Sequence, residues 1–321
     1  LRARSLVRST PAGAVVLPGA IALVLRARRT HRDLTASAPT PQAPVMGTET
    51  TKAESARAAL EIHQYLLDLI DTWSNQPAGA LRSGGIGVRE VRRTAQAIGA
   101  SDPVTALLIE LGAASGELGG ATDEDGALWA PTHLHDDDDL GLRWARLATT
   151  WFASERAFVL IGTRAEDGAL RAVLEPGLER GWAARLRLRT LEALRAWPTS
   201  SAPDLAAVLT HLRWHTPASP PPDWAVNAVL TEAAVLGITA AGALSPVGEA
   251  LLTAGSDDPE SLAAVLTDAL PEAVGEILLQ ADLTAIVPGR PTREIEDLLV
   301  ATSEVESRGS GLTTRFTPAS L

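Results

Sequence analysis

Gly84-Gly85-Ile86-Gly87-Val88-Arg89-Glu90-Val91-Arg92-Arg93-Thr94-Ala95-Gln96-Ala97-Ile98-Gly99-Ala100-Ser101-Asp102-Pro103 is the stretch on which the fold turns. Val88, Val91, Ala95 and Ile98 recur at three- and four-residue spacing, so they share one face of a helix. Gly99 stops that helix. Asp102 and Pro103 then suit the N-cap and first-turn positions of a second one, which runs through Val104–Leu111 to about Ser115. Gly119-Gly120 and Asp125-Gly126 bracket a turn before Ala127-Leu128-Trp129-Ala130-Pro131, which reads as a β-hairpin. Upstream, Ala59, Leu60, Ile62, Leu66, Leu67, Leu69, Ile70 and Trp73 give residues 52–75 the pattern of an amphipathic helix. Helix, helix-turn-helix and hairpin predict a winged-helix-like unit over 52–132.

The pattern recurs downstream. Residues 133–200 form a helical connection, with a helix over 140–160 carrying Trp144, Leu147, Trp151 and Phe152. A second winged-helix-like unit spans 201–257: helices at 203–214 and 223–236, a short wing around Ile238–Ser245, and a helix at 246–254. Residues 258–321 read as a small α/β cap, with a helix, a buried strand at 277–287, a helix at 291–302 and strands near 303–307 and 312–316. Residues 35–51 (TASAPTPQAPVMGTETT) form a linker. Residues 1–34 read as the tail of an upstream domain, with a strand at 14–17 and a helix at 19–28. The fold class expected is therefore α+β, predominantly α-helical, with tandem winged-helix-like units followed by a small α/β cap. The chain opens on Leu1 and stops at Leu321, just past Phe316-Thr317-Pro318, so both ends are expected to be cuts in a longer polypeptide.

The chain has 321 residues, 45% of them apolar, enough for two or three domains with sizeable cores. It contains no cysteine, which excludes disulfides, thiol catalysis and thiolate metal sites and points to the reducing cytoplasm. Of the 28 lysines and arginines only Lys52 is lysine, a bias of codon composition rather than of mechanism. The apolar run from Ala12 to Leu25 follows Arg2, Arg4 and Arg8 and imitates a secretion signal. Pro18-Gly19 interrupts it, arginines follow it, and it is too short to span a bilayer.

Few residues suggest catalysis. His133-Leu134-His135-Asp136-Asp137-Asp138-Asp139 offers oxygen and imidazole ligands, but consecutive residues cannot all face one ion. The run reads as a loop whose carboxylates favour the positive end of the following helix. Ser83-Gly84-Gly85-Ile86-Gly87 lacks the Gly-Lys-Ser/Thr of a phosphate loop. His211 and His215 lack the glutamate of a His-Glu-x-x-His zinc site. No catalytic residue, metal or cofactor is expected.

Nucleic acid is a different matter. The net charge of −11 argues against a clamp over the whole surface but leaves room for a local basic face. The second helix of each helix-turn-helix is apolar and slightly acidic, with Glu110 in one and Asp223 and Glu232 in the other. Sequence reading in the major groove is therefore not expected. Arginines gather elsewhere: Arg82, Arg89, Arg92 and Arg93 at the preceding helix, and Arg185, Arg187 and Arg189 in the connecting region. They suit sequence-tolerant, salt-sensitive phosphate contact, and equally suit solvated faces paired with glutamates. In the cap, Gln280 and Asp282 alternate with Leu279, Ala281 and Leu283, giving a polar strand face flanked by Arg308 and Arg315. That face is a candidate partner surface.

Three cap segments carry a resemblance: Leu278-Leu279-Gln280-Ala281-Asp282-Leu283-Thr284-Ala285-Ile286-Val287-Pro288-Gly289, Val305-Glu306-Ser307-Arg308-Gly309 and Arg315-Phe316-Thr317-Pro318-Ala319-Ser320-Leu321. Leu81–Arg89 and Trp129-Ala130-Pro131-Thr132 extend it. Together they resemble the helicase-associated domain of actinobacterial-type proteins similar to the N-terminal region of XPB-type DNA helicases. The resemblance implies a noncatalytic module that engages DNA or an XPB-type helicase in repair or transcription. No helicase motor motif accompanies it, so no enzymatic activity is expected of this chain. The alternative is a protein-interaction scaffold that does not bind nucleic acid.

Overall fold

The computed structural model describes residues 4, 6–11, 13–27, 37–82, 85–123, 126–135, 138–308 and 311–318. The chain divides into two compact units, Leu1–Pro39 and Thr40–Leu321. The first contains the antiparallel pair β1 (Arg8–Ser9) and β2 (Val15–Val16), then α1 (Gly19–Leu25), none of whose residues is buried.

The second unit is α+β with helices predominating. It begins with α2 (Thr48–Asn75), β3 (Ala78–Gly79), α3 (Val88–Ile98), α4 (Asp102–Ser115), β4 (Leu118–Asp123) and β5 (Gly126–Pro131). Then come α5 (Leu140–Ala153), α6 (Ala183–Arg195), α7 (Leu205–His215), α8 (Asp223–Val235), β6 (Thr239–Ala240), β7 (Ala243–Leu244), α9 (Pro246–Ala254) and α10 (Pro259–Ala269). The cap holds β8 (Leu278–Leu279), β9 (Thr284–Val287), α11 (Arg293–Thr302), β10 (Glu304–Arg308) and β11 (Leu312–Arg315). Among the described residues no single helix is long and apolar enough to cross a membrane.

Local chemistry sets most boundaries. Gly99 adopts φ +70° and closes α3. Ser101, not Asp102, caps α4 by accepting from the Val104 amide, while Pro103 sits in the first turn. Helix α5 stops at Ala153 instead of running to 160. Arg187 reaches in and takes the carbonyls of Ser154 and Arg156, drawing them out of helical bonding. In the first sheet β5 lies between β3 and β4, with Trp129 opposite both Ala78 and Gly120.

One continuous buried cluster runs from Ala56 to Leu270. The segments expected as two winged-helix-like units and a connection therefore share a single core. Its axis is α2, where Ile62, Leu66, Leu69 and Trp73 are sealed from solvent. Each such side chain contributes about 1.5–3 kcal/mol of apolar transfer free energy. Gly237 joins the halves: its φ is +73°, a Cβ there would lie 2.5 Å from the Ser55 carbonyl oxygen, and Ser55 Oγ donates to its carbonyl at 2.6 Å. The cap has a small cluster of its own: Ala285, Val287, Leu299 and Leu312.

The cap departs from expectation at residues 277–287, which form two strands rather than one. Asp282 accepts from the Thr284 amide, Leu283 takes φ +68°, and the Leu283 amide donates to the Gln280 carbonyl, which folds the chain back. The sheet order is β10-β11-β9-β8, all antiparallel, so β8 is an edge strand.

Candidate nucleic-acid interface

The middle of helix α4 is not presented to solvent. Thr105 through Gly112 are all buried, and Glu110 points inward to a bidentate pair with Arg156 at 2.6 and 3.1 Å. Glu110 also accepts from the Leu174 amide at 2.6 Å. On α8, Glu232 likewise turns inward to Trp151 and Arg187. The acidity of Glu110 and Glu232 is therefore internal, while Asp102 at the start of α4 lies outside and pairs with Arg92. It does not create the repulsive surface that favours scaffolding over DNA contact. Asp223 does lie outside, where Arg213 at 2.6 Å offsets it.

The two arginine groups fare differently. Around α3, Arg82 and Arg89 are exposed and make no ion pair among the described residues. Arg92 pairs with Asp102 at 3.3 Å. Arg93 is held by Glu90 and by the Gln76 side chain at 2.7 Å. Half of that group is thus already engaged.

On α6, Arg187 is not at the surface at all. It is 2% exposed and packed against the rings of Trp151 and Phe158, 5.3 and 4.8 Å from their centroids. Burial pushes its pKa down, against the opposing pull of Glu232. As placed, it cannot contact a phosphate. Arg185 and Arg189 lie four residues apart on the exposed stripe, and neither pairs with a carboxylate among the described residues. Arg185 Nε reaches only the Gly181 carbonyl, at 3.2 Å.

The same stripe starts at Trp182, the N-cap residue of α6. Its ring meets Trp224, in the first turn of α8, edge to face at 6.3 Å. Trp182 is 37% exposed and Trp224 51%. Buried indoles contribute packing, but these leave ring surface open beside two uncommitted guanidinium groups. That combination suits stacked bases flanked by phosphates. Sequence reasoning missed both tryptophans. The available signal was their position beside turn residues, Gly181 before one and Pro222-Asp223 before the other.

The histidine-aspartate loop is structural where it is described. Asp139 caps α5 through the Leu142 amide at 2.8 Å, and Asp138 accepts from Arg146 at 2.7 Å. Asp136 and Asp137 lie outside the described residues, as do Ser83 and Gly84. Among the described residues, no group of three or more His, Asp or Glu side chains could hold a metal ion. His211 and His215 lie in a row of tilted and edge-to-face ring contacts between Trp197 and Trp214.

In the cap, Gln280 and Asp282 fall in the β8–β9 turn, and both are exposed. Arg315 pairs with Glu306, donates to the Asp282 carbonyl at 3.0 Å, and lies 3.9 Å from its carboxylate. The Asp282 pKa is held below the usual range, first by bonds from Thr284 and then by Arg315. Arg308 ends β10 opposite Leu312; its side chain lies outside the described residues. The structure thus joins Asp282 to Arg315. Leu278, Leu279 and Leu283, rather than being buried, are open to solvent around them.

Compared with known proteins, the chain matches no family model, no curated protein and no solved structure at a significant level.

Proposed function

We propose that the chain is a noncatalytic, helicase-associated accessory module that engages the DNA backbone without reading sequence. The observation that carries this reading is the open Trp182–Trp224 pair at the head of an α6 stripe bearing Arg185 and Arg189. Stacking tolerates any base, and phosphate contact tolerates any sequence. The buried α4 argues for that mode and against groove reading. The element order of the first half, with a helix, short strand, two helices and hairpin, supports a winged-helix reading in which the wing assembly serves packing. Single-stranded DNA should quench tryptophan fluorescence, and Trp224→Ala should weaken that binding roughly tenfold, as loss of one stacked base implies. Unaltered affinity in Trp224→Ala would remove the aromatic contact from the account.

The alternative, a scaffold that binds protein and not nucleic acid, is favoured by the cap. Edge strand β8 exposes Leu278 and Leu279 beside the Asp282–Arg315 pair, and such an edge accepts a partner strand. Capture of an XPB-type helicase that is lost in Leu279→Arg, with no DNA binding at any salt, would select this reading.

A further inference from the structure

A cleft of about 460 Å³ opens between the starts of α3 and α4, helix α8 and the loop around 158–173. That size lies in the range of small-molecule sites, about 300–1,000 Å³. Its walls are aliphatic and aromatic, with Ile86, Val91, Leu107, Phe158 and Val173 among them. Of its charged lining residues, Asp102 is paired with Arg92, and Arg171 is held by Thr163 Oγ1 at 3.0 Å and the Arg164 carbonyl at 2.7 Å. The third is Glu232. Its Oε2 accepts from Trp151 Nε1 at 2.8 Å and faces Arg187 Nε at 3.6 Å. Its Oε1 accepts no hydrogen bond among the described residues and is not sealed from solvent. A carboxylate whose charge is already faced by Arg187 thus stands in the wall of a largely apolar cleft with one uncommitted acceptor oxygen.

We propose that this cleft binds a small neutral molecule with an apolar body and one hydroxyl group, which donates to Glu232 Oε1. A neutral donor fits better than a cation because the guanidinium of Arg187 stands behind the carboxylate. It fits better than an anion because two carboxylates would face each other. The site is separate from the α6 stripe, so its occupation and DNA binding are independent claims.

The test uses 1-octanol and octanoate as probes on the whole chain at pH near 7, read by the indole N–H resonance of Trp151, which shares the Glu232 carboxylate. The expected result is saturable 1-octanol binding that shifts this resonance. Octanoate should bind at least about tenfold more weakly, the cost of setting an anion against the Glu232 carboxylate. Ala228→Phe, which fills the cleft from α8, should abolish octanol binding. Absence of saturable octanol binding, binding that leaves the Trp151 resonance in place, or octanoate binding as tightly as octanol would each overturn the proposal. Should Ala228→Phe fail to fold, the two-probe comparison on the wild-type chain decides alone.

Discussion

Glu110 and Arg156 form the most consequential pair of side chains in the molecule. The Glu110 side chain is fully buried and satisfies a guanidinium and a backbone amide at once. Removing Arg156 strands the Glu110 carboxylate in the core, so Arg156→Ala should cost about 3–5 kcal/mol in urea unfolding. Arg213→Ala removes an exposed pair with Asp223 and should cost about 1 kcal/mol or less. Equal losses in the two variants would contradict this assignment. Glu232 supplies a pH signature. Its folded pKa is raised above the ordinary value of 4.5, because burial outweighs the pull of Arg187 and Trp151. An acid with a raised folded pKa binds its proton more tightly folded than unfolded. Its contribution to stability is therefore complete below pH 4.5 and declines as pH rises toward the folded value. Unfolding midpoints measured across that window should fall less steeply in Glu232→Gln than in the wild type.

These inward charges show where sequence reading stopped. Arg187 was grouped with Arg185 and Arg189 by proximity along the chain. Yet it lies four residues after Ala183, three before Thr190 and seven before Leu194, all buried on α6. The helical period thus placed it on the core stripe. A charged residue there reads as surface unless its partner is known, and Glu232 is distant in sequence. Glu110 was equally concealed inside an apolar run.

Among the elements, α3, α4, α8 and α9 were legible because spacing, Gly99 and helix caps agree locally, whereas Gly119-Gly120, read as part of a turn, lie within strand β4. Strand β3 was not, since two residues carry no period and pairing with β5 alone defines it. The single strand expected at 277–287 failed because alternation cannot distinguish one strand from two joined by a tight turn. The turn depends on an Asp282 side-chain bond and a positive φ at Leu283. Gly237 is the junction most sensitive to substitution: Gly237→Ala adds a Cβ against the Ser55 carbonyl in a left-handed conformation. It should lower stability by at least about 1 kcal/mol, measured by urea denaturation. A neutral outcome would contradict the close approach of Gly237 to the Ser55 carbonyl.

At the scale of the molecule, one core spanning Ala56 to Leu270 makes the helices before and after the 133–200 segment parts of a single body. Calorimetry should show one cooperative transition for that core. Two transitions separable by destabilising only one half would contradict it. The shared core buries the middle of α4, whereas α8 keeps an outer face that carries Trp224, and the proposed contact lies on that face and on the outer stripe of α6. Fluorescence anisotropy of labelled duplex, forked and single-stranded DNA at two salt concentrations tests that account most directly, comparing the wild type with the Arg185→Ala/Arg189→Ala double variant. The account predicts sequence-tolerant binding with a log–log salt slope of magnitude about 1.4–1.8, as for two phosphates, nearly abolished in the double variant. Flat anisotropy for all three DNAs at low salt, or binding unchanged by the double substitution, would contradict it.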